Sequence, residues 1–364
     1  MTIFFVYFIL FFFTIYFSNR ARLTNNIWGN YRIYIAILVY SLVLGLRWNV
    51  GKDFLPYYDL ITGQLSDVVF FRIEFLPREL MVIIQDFHLP FYIWFIVMAI
   101  VQILFLYVSV ERVCKKLLPW CTFFFLCLFL DHSLNIVRQC TALTVILCLF
   151  TFVEEKKYIV VVLLSLVAFF IHYSSIVALP LIFLTYYNKI LSTKYQLLIF
   201  TLSIFLGKII LPVFLERISY FTALIGYDSA MEAVMGQDKT NEEGSGIIVL
   251  FNFILYYFII FNSKKIYESY GKYISNKNYS LYYNLFFIGI CSYAATMYDT
   301  FLSRLFMYFT IFSVIIIPST LYICIKKRGA TMILSIGFIL FYVLLQFHKM
   351  LSSAEWTFIW NKNL

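Results

Sequence analysis

The sequence predicts an all-α protein that crosses a membrane about a dozen times. Of its 364 residues, 63% are apolar and only 13% are charged, whereas soluble domains carry about 25% charged residues. Apolar runs alternate with short polar clusters along the chain, and basic residues gather in every second connection. A soluble enzyme, a disordered chain and a nucleic-acid binder are excluded, because so apolar a soluble fold would expose large aggregating patches.

Twelve apolar runs are candidate helices, and they leave room for one membrane domain over residues 1–364. A straight spanning helix needs about 20 residues, so several of the shorter runs are marginal. The first run lacks a basic amino-terminal region and a small-residue cleavage site, so we expect a retained helix rather than a cleaved signal. The candidates cover residues 2–17, 33–46, 91–110, 118–131, 139–153, 157–171, 174–188, 195–211, 247–262, 280–297, 305–323 and 330–347.

The orientation follows from the distribution of basic residues. With the amino terminus outside, the inside connections hold 17 of the 28 basic residues and 4 of the 19 acidic ones. The inside balance is then +13 and the outside balance −4. Cytoplasmic loops of membrane proteins carry such an excess of Lys and Arg. We therefore expect both termini outside, and the net charge of +9 needs no nucleic-acid partner.

Two outside connections are long, at about residues 47–90 and 211–246. Long loops usually carry function. The first contains residues 78–87, RELMVIIQDF, too short to span and suited to an interfacial or re-entrant helix. The second contains the polar segment 237–246, QDKTNEEGSG, which is either a lid or merely a flexible loop.

Ionisable side chains gather at the outside ends of the helices, which predicts a cavity open to that face. Such groups near membrane depth are usually paired or functional. The set comprises His88, His132, His172, His348, Arg47, Lys52, Asp53, Asp131, Arg138, Asp299 and Arg304.

Each cluster also has a purely structural interpretation. Trp48, Tyr57 and Tyr58 suit interfacial anchoring. Arg138 suits an interface cation, His172 a hydrogen-bonded structural residue, and Asp299 with Arg304 a local ion pair.

Signatures of metal and phosphate-loop chemistry are lacking. The loops contain no D-x-D, H-E-x-x-H or C-x-x-C motif and no glycine-rich phosphate loop. The seven Cys lie in or beside apolar runs, which predicts neither disulfides nor a metal cluster. We therefore expect no metal and no cofactor.

Four segments in order give the chain a resemblance to a known family. They are residues 47–57 (RWNVGKDFLPY), 135–142 (NIVRQCTA), 170–175 (FIHYSS) and 303–309 (SRLFMYF) with Pro318 downstream. The set resembles the EpsG family of Wzy-like polysaccharide polymerases, over about residues 47–318. Glu74 is similar to an acid that follows the first motif. Phe54, where Tyr is commoner, and the segment 354–360 depart from the family pattern.

The resemblance implies a fold, an activity and partners. The fold is similar to that of the GT-C membrane glycosyltransferases. The activity is polymerisation of undecaprenyl-pyrophosphate-linked repeat units of O-antigen, capsule or exopolysaccharide, at the outer face of the bacterial inner membrane. The partners are the lipid-linked donor and acceptor, membrane lipids and a chain-length regulator of the Wzz type.

This activity assigns roles to residues of the outside face. A glycosyl pyrophosphate donor needs fixed cations, and Arg binds two phosphate oxygens at once. We expect Arg47, Lys52, Arg138 and Arg304 at the pyrophosphate, with Tyr57 and Glu74 in the same substrate site. The acceptor hydroxyl needs a base. Asp53 is preferred, His172 follows because imidazole titrates near neutral pH, and Asp299 is third. By resemblance, the reaction is expected to invert the anomeric centre.

Two other functions stay open. One is another lipid-linked glycosyl transfer, such as that of an O-antigen ligase. The other is a flippase for lipid-linked sugars, which needs a polar pathway to both leaflets. The clustering of polar residues on one face argues against the flippase.

Overall fold

The computed structural model describes residues 2–64, 70, 73–187, 189–224, 246–274, 279–297, 300–352 and 357–358. The α-helices are α1 Thr2–Ala21, α2 Tyr31–Gly45, α3 Phe54–Ile61, α4 Phe75–Asp86, α5 Tyr92–Cys114, α6 Leu118–Asn135, α7 Val137–Glu154, α8 Tyr158–Ile171, α9 Thr193–Leu224, α10 Gly246–Tyr273, α11 Tyr279–Thr296, α12 Thr300–Thr310, α13 Ser313–Lys327 and α14 Ala330–Ser352. A 3-10 helix spans Tyr173–Tyr186, a 3-10 turn spans Lys115–Leu117, and two short strands are β1 Arg47–Trp48 and β2 Thr357–Phe358.

The chain is an all-α polytopic membrane protein. Within the described residues, five helical segments are long and apolar enough to cross a membrane, or six if the bent pair α12–α13 forms one span. Shorter apolar helices, α2 and α8 among them, accompany these segments. The count of twelve stays a prediction.

Helix α7 lies at the centre of the bundle. It packs against α5, α8 and the 3-10 helix, and 83% of it is buried. Its sequence has few charges and many β-branched and small residues, so it fits between neighbours on all sides. Because α7 begins at Val137, the position of that residue decides where Arg138 lies.

A buried hydrogen-bond network fixes the start of α7. Gln102 of α5 donates from Nε2 to the carbonyl of Val137 at 3.3 Å and to the Thr141 hydroxyl at 3.1 Å. The Tyr40 hydroxyl of α2 donates to Gln102 Oε1 at 2.8 Å and lies 3.2 Å from the Ser133 hydroxyl. Buried polar groups are costly unless paired, so the network holds α2, α5, α6 and α7 in one register.

The connection between α6 and α7 is shorter than predicted. The connection left between the predicted helices 118–131 and 139–153 is too long, because α6 continues to Asn135 and only Ile136 separates the two helices. The side chain of Asn135 donates back to the carbonyl of Asp131 at 2.9 Å, and the backbone N–H of Ile136 bonds to the carbonyl of His132. These local bonds keep the polar stretch helical.

Three further expectations are corrected. The helix predicted at 174–188 is a 3-10 helix with Pro180 inside, and proline removes the N–H that an α-helical bond there would use. The helix predicted at 195–211 runs to Leu224, so the long connection predicted at 211–246 begins later. The helix predicted at 305–323 breaks into α12 and α13, which meet at 48°.

The long connection at residues 47–90 is helical in part. The segment expected to form an interfacial or re-entrant helix is helical, as α4, which buries Pro77, Met81 and Ile84 and leaves Ile83 exposed. Its position relative to the membrane stays a prediction. The antiparallel pairing of β1 with β2 brings Thr357 and Phe358 next to the start of this connection. Most of the polar segment 237–246 lies outside the described residues.

Candidate functional site

A cavity of about 340 Å³ lies where four segments of the chain meet at one end of the bundle. Its walls come from the start of α3, the α6–α7 link, the start of the 3-10 helix and the middle of α12. The lining residues are Asp53, Tyr57, Ile136, Arg138, Gln139, His172, Ser174, Arg304 and Leu305. All four segments that carry the family resemblance therefore contribute to one site.

The loop 47–53 is fixed to the end of α6 by Arg47. Its guanidinium donates to the backbone carbonyls of Leu44, of Val50 at 3.1 Å and of Leu134 at 3.3 Å. Arg47 is 1% exposed and stacks on the Phe95 ring at 4.6 Å. Burial lowers the pKa of Arg47 to about 9. Arg47 thus links the backbone of α2, the loop that follows it and α6, and it does not line the cavity.

Gly51 allows the same loop to approach α6 closely. Its φ is +94°, and an added Cβ would lie 2.5 Å from the carbonyl oxygen of Leu134. Only glycine accepts both conditions without strain. The next N–H, that of Lys52, donates to Asn135 Oδ1 at 2.6 Å. The Lys52 side chain is exposed and does not line the cavity.

Asp53 follows at the start of α3 and lines the cavity with its carboxylate. Its side chain makes no capping bond, and no other side-chain hydrogen bond or ion pair joins it to a described residue. Burial raises the pKa of Asp53, and the charges of Arg304, Arg138 and Lys52 offset part of the increase. An unpaired carboxylate with a raised pKa is suited to accept a proton from a substrate.

Arg138 is held from two sides at the start of α7. Its Nε donates to the Tyr57 hydroxyl at 2.9 Å, and its Nη1 donates to Glu74 Oε2. Tyr57 is itself fixed by the Trp94 ring, with ring centroids 4.7 Å apart. The remaining guanidinium edge of Arg138 is available to a ligand in the cavity.

Glu74, which precedes α4, carries a second contact. Its Oε1 lies 2.5 Å from His172 Nδ1, at the point where α8 ends. Burial alone would raise the pKa of Glu74, but the hydrogen bond from His172 and the charge of Arg138 outweigh it, and the pKa lies below its usual range. Glu74 is therefore an ionised, buried carboxylate behind the cavity.

Arg304 reaches the cavity from α12. The side chain is exposed, and it makes no hydrogen bond or ion pair with any residue that the structure describes. Its backbone is fixed, because Gln139 Nε2 donates to the carbonyl of Arg304 at 2.5 Å. Gln139 thus joins α7 to α12 beside Arg138.

A hydrogen bond joins the 3-10 helix to α12 at Tyr308, four residues after Arg304. The hydroxyls of Ser174 and Tyr308 lie 3.1 Å apart. Gly289 of α11 lets the α12 backbone approach, since an added Cβ would lie 2.5 Å from the carbonyl oxygen of Phe309. This contact lies next to the break between α12 and α13.

The aromatic residues of the first segment pack against one another. Trp48 meets Tyr58 and Phe54 edge-on, with ring centroids 5.2 and 5.4 Å apart, and Tyr58 meets Phe91 in the same way at 4.9 Å. Trp48 and Tyr58 therefore serve packing, and of the three aromatic residues considered from the sequence only Tyr57 lines the cavity.

The structure brings together most of the residues considered from the sequence. Asp53, Tyr57, Arg138, His172 and Arg304 line the cavity, and Glu74 touches two of them. Arg47 and Lys52 do not line the cavity, and Asp299 lies outside the described residues.

The sequence reasoning missed the roles of Asn135, Gln139, Ser174 and Tyr308. The first three lie within the matching segments 135–142 and 170–175, and Tyr308 lies within 303–309, so all four belong to segments that the sequence analysis singled out.

Comparison with known proteins agrees with this convergence. The model of the EpsG family matches residues 30–363, which include all four segments. No curated protein and no solved structure shows significant similarity to the chain.

Proposed function

This chain belongs to the EpsG family of polysaccharide-polymerase-like membrane proteins, and we propose that it polymerises lipid-linked saccharide repeat units. The proposed donor is a glycan on undecaprenyl pyrophosphate, and the acceptor is the non-reducing end of a second lipid-linked unit. The proposed location is the outer face of the bacterial inner membrane. The observation that carries the proposal is one cavity that holds two arginines and an unpaired carboxylate.

The proposed reaction is a single displacement at the anomeric carbon of the donor. The acceptor hydroxyl oxygen forms the new bond to that carbon, and the carbon–oxygen bond to the pyrophosphate breaks. The electron pair of the broken bond leaves with the pyrophosphate, and the hydroxyl proton passes to a carboxylate. The displacement inverts the anomeric centre and needs no metal ion.

Arg138 and Arg304 are the proposed pyrophosphate ligands. The negative charge on the leaving oxygen increases in the transition state, so cations that are already in place stabilise it more than the ground state. Arg138 is pre-organised by Tyr57 and Glu74. The guanidinium of Arg304 has no hydrogen bond or ion pair with a described residue that would have to break before it binds phosphate.

Asp53 is the proposed base. It lines the same cavity as both arginines, and its carboxylate is free to accept the proton. Its raised pKa brings proton affinity closer to the operating pH, which improves general base catalysis. His172 is the second candidate, although its Nδ1 is engaged by Glu74. Asp299 is the third.

The same arrangement favours transfer over transport. The polar residues that line the cavity lie at one end of the bundle. Next to them, buried Gln102 is hydrogen-bonded to the carbonyl of Val137 and the hydroxyl of Thr141. A flippase needs a polar route between leaflets, and this buried network is satisfied by its own hydrogen bonds rather than open to a substrate.

A deletion strain tests the function. Gel analysis of its surface glycan is expected to show a single capped repeat, with long chains restored by the wild-type gene and not by the Arg138→Ala variant. Lipid-linked polymer that accumulates without reaching its final carrier would identify a ligase instead. Loss of even the single repeat would point to a flippase.

A further inference from the structure

We propose that Gln139 is a positioning residue that holds Arg304 at the cavity it shares with Arg138, so that the two arginines bind the donor pyrophosphate together. The inference rests on the proposed polymerase function and deepens it by naming the residue that assembles the phosphate site from two helices. Gln139 acts through the backbone of Arg304 rather than through a contact of its own with the substrate.

Gln139 belongs to a part of α7 whose position is already fixed. The carbonyl of Val137, two residues earlier, accepts a hydrogen bond from buried Gln102 at 3.3 Å. The guanidinium of Arg138, the preceding residue, is held by two partners of its own. A side chain that extends from so fixed a backbone passes that position on to the group it binds.

The side chain of Gln139 connects this fixed point to α12. Its Nε2 donates to the carbonyl oxygen of Arg304 at 2.5 Å, across 165 residues of sequence. Gln139 lines the cavity but is only 5% exposed, so little of its surface is left for a substrate. The hydrogen bond therefore fixes the backbone from which the Arg304 side chain extends and leaves the guanidinium available to a ligand.

The position of Arg304 depends on such a contact because α12 is a short helix that ends at a break. It has 11 residues and meets α13 at 48°, so α13 does not continue its direction. The contact between Ser174 and Tyr308 lies one turn after Arg304, on the side of the break. Gln139 binds at Arg304 itself, which makes it the contact that sets how far this residue lies from α7.

The hydrogen bond is made to the main chain, so it does not depend on the side chain at position 304. Arg304 lies inside α12, where its carbonyl also belongs to the hydrogen-bond ladder of the helix. A carbonyl oxygen has two lone pairs and can accept both bonds. Loss of the Gln139 bond should thus leave α12 helical and shift it relative to α7, which displaces the guanidinium of Arg304.

A double-mutant cycle on the full purified protein isolates this effect, with binding of farnesyl pyrophosphate as the measurement. Gln139→Met keeps the length of the side chain and removes the donor. Arg304→Ala removes the guanidinium and keeps the carbonyl that Gln139 binds. Wild type, the two single variants and the double variant then give the affinity lost at position 139 with and without the guanidinium.

The loss of affinity is expected to depend on Arg304. With Arg304 present, Gln139→Met should bind farnesyl pyrophosphate about tenfold more weakly, a coupling of about 1.4 kcal/mol that is typical of residues in contact. In the Arg304→Ala background the same substitution should change the affinity less than about twofold, because no guanidinium is left to be displaced. A purely structural role would cost the same in both backgrounds.

Gln346→Met is the matched control. Gln346 of α14 is 3% exposed, and its Nε2 donates to the backbone carbonyl of Cys127 of α6 at 3.2 Å, so it makes the same kind of contact between two helices. It does not line the cavity. Both Met variants should lower the unfolding temperature, and only Gln139→Met should weaken binding of the probe.

A second variant keeps the test decisive if Gln139→Met does not fold. Gln139→Asn retains the amide but is one methylene shorter, which withdraws the donor from the carbonyl of Arg304. It takes the place of Gln139→Met in the same cycle, with the same dependence on Arg304 expected.

Three results overturn the inference. The first is wild-type affinity of the Gln139 variant, and the second is an equal loss of affinity with and without the Arg304 guanidinium. The third is wild-type affinity of Arg304→Ala, because Arg304 would then not be a phosphate ligand. In each case a wild type that polymerises repeat units leaves the proposed function standing. A wild type that shows the expected coupling and forms no polymer contradicts the proposed function instead.

Discussion

The side-chain oxygen of Asn135 accepts a hydrogen bond from the backbone N–H of Lys52 at 2.6 Å, across 83 residues of sequence. Together with the Arg47 contacts to the carbonyls of α2 and α6, this bond docks the loop 47–53 onto the end of α6. Asp53 follows one residue later, and Arg138 lies three residues after Asn135. The bond thus sets the distance between the proposed base and a proposed phosphate ligand.

Gly51→Ala tests this docking. The new methyl would meet the Leu134 carbonyl and force a residue with a side chain to φ +94°, so polymer should be lost. The matched control is Gly63→Ala, where φ is +71° and nothing lies within 4 Å of the added Cβ. Both variants bear a backbone cost of about 1 kcal/mol, and only Gly51→Ala bears the collision. Equal activity of the two variants in a complementation assay would refute the docking role.

The two cavity arginines should differ in their tolerance of lysine. Arg138 bonds Tyr57 and Glu74 at once, and a lysine cannot reproduce both contacts. Arg304 has no described side-chain partner, so Arg304→Lys should keep more of its activity.

Chain-length ladders from complemented deletion strains measure the difference. Both Ala variants should give no polymer, because loss of a charge-stabilising donor raises the barrier by about 3 kcal/mol. Arg78→Lys, on α4 and paired with Glu79, is the control. A wild-type ladder from Arg138→Ala would show that Arg138 is only an interface cation.

Arg47 is expected to serve stability rather than substrate binding. Arg47→Met keeps the apolar stem and leaves three backbone carbonyls without their donor. The free energy of unfolding should fall by about 3 kcal/mol, seen as a lower unfolding temperature and lower protein level. Arg78→Met is the surface control. Normal stability with weakened binding of farnesyl pyrophosphate would return Arg47 to the phosphate site.

Cysteine labelling tests the orientation. The charge bias predicts both termini outside and the carboxy-terminal end of α10 inside. An impermeant reagent applied from the outer side should label Gln237→Cys and not Lys272→Cys, above the background of native cysteines. Gln237 lies outside the described residues, so the experiment rests on the topology alone. The reverse labelling pattern would mean that the protein has the opposite orientation, with the cavity on the cytoplasmic side.

Much of the fold could be predicted from the sequence, because a spanning helix must be a continuous apolar run. The end of α6 could not, since polar residues there are kept helical by local bonds such as that from Asn135 to Asp131. The 3-10 geometry around Pro180 depends on packing against α7 and α8.

The candidate site, like the fold, could be predicted from the sequence only in part. Asp53 and Arg138 could be named because reactive residue types stood in recognisable segments. The contacts of Glu74 with Arg138 and of Gln139 with Arg304 join residues 64 and 165 positions apart. No local pattern encodes such pairings, and only the folded chain reveals that Glu74 lies behind the cavity and that Arg47 is buried against backbone carbonyls.

Asp53→Asn separates catalysis from stability. Burial raises the pKa of Asp53 despite the nearby Arg304, Arg138 and Lys52, so its ionised form disfavours the folded state above that pKa. The Asn variant should therefore unfold at the same or a higher temperature than wild type at neutral pH. The advantage should disappear as the pH falls through the raised pKa and Asp53 becomes protonated.

Turnover of purified lipid-linked repeat units by the protein in vesicles is the most direct test of the polymerase assignment. Wild type should produce a ladder of lipid-linked chains, and Asp53→Asn should bind the substrate yet turn over about 10²–10⁴-fold more slowly. Normal turnover by Asp53→Asn, with His172→Gln inactive but still binding, would reverse the two roles. A wild-type protein that binds these units in vesicles and forms no longer chains would contradict the assignment itself.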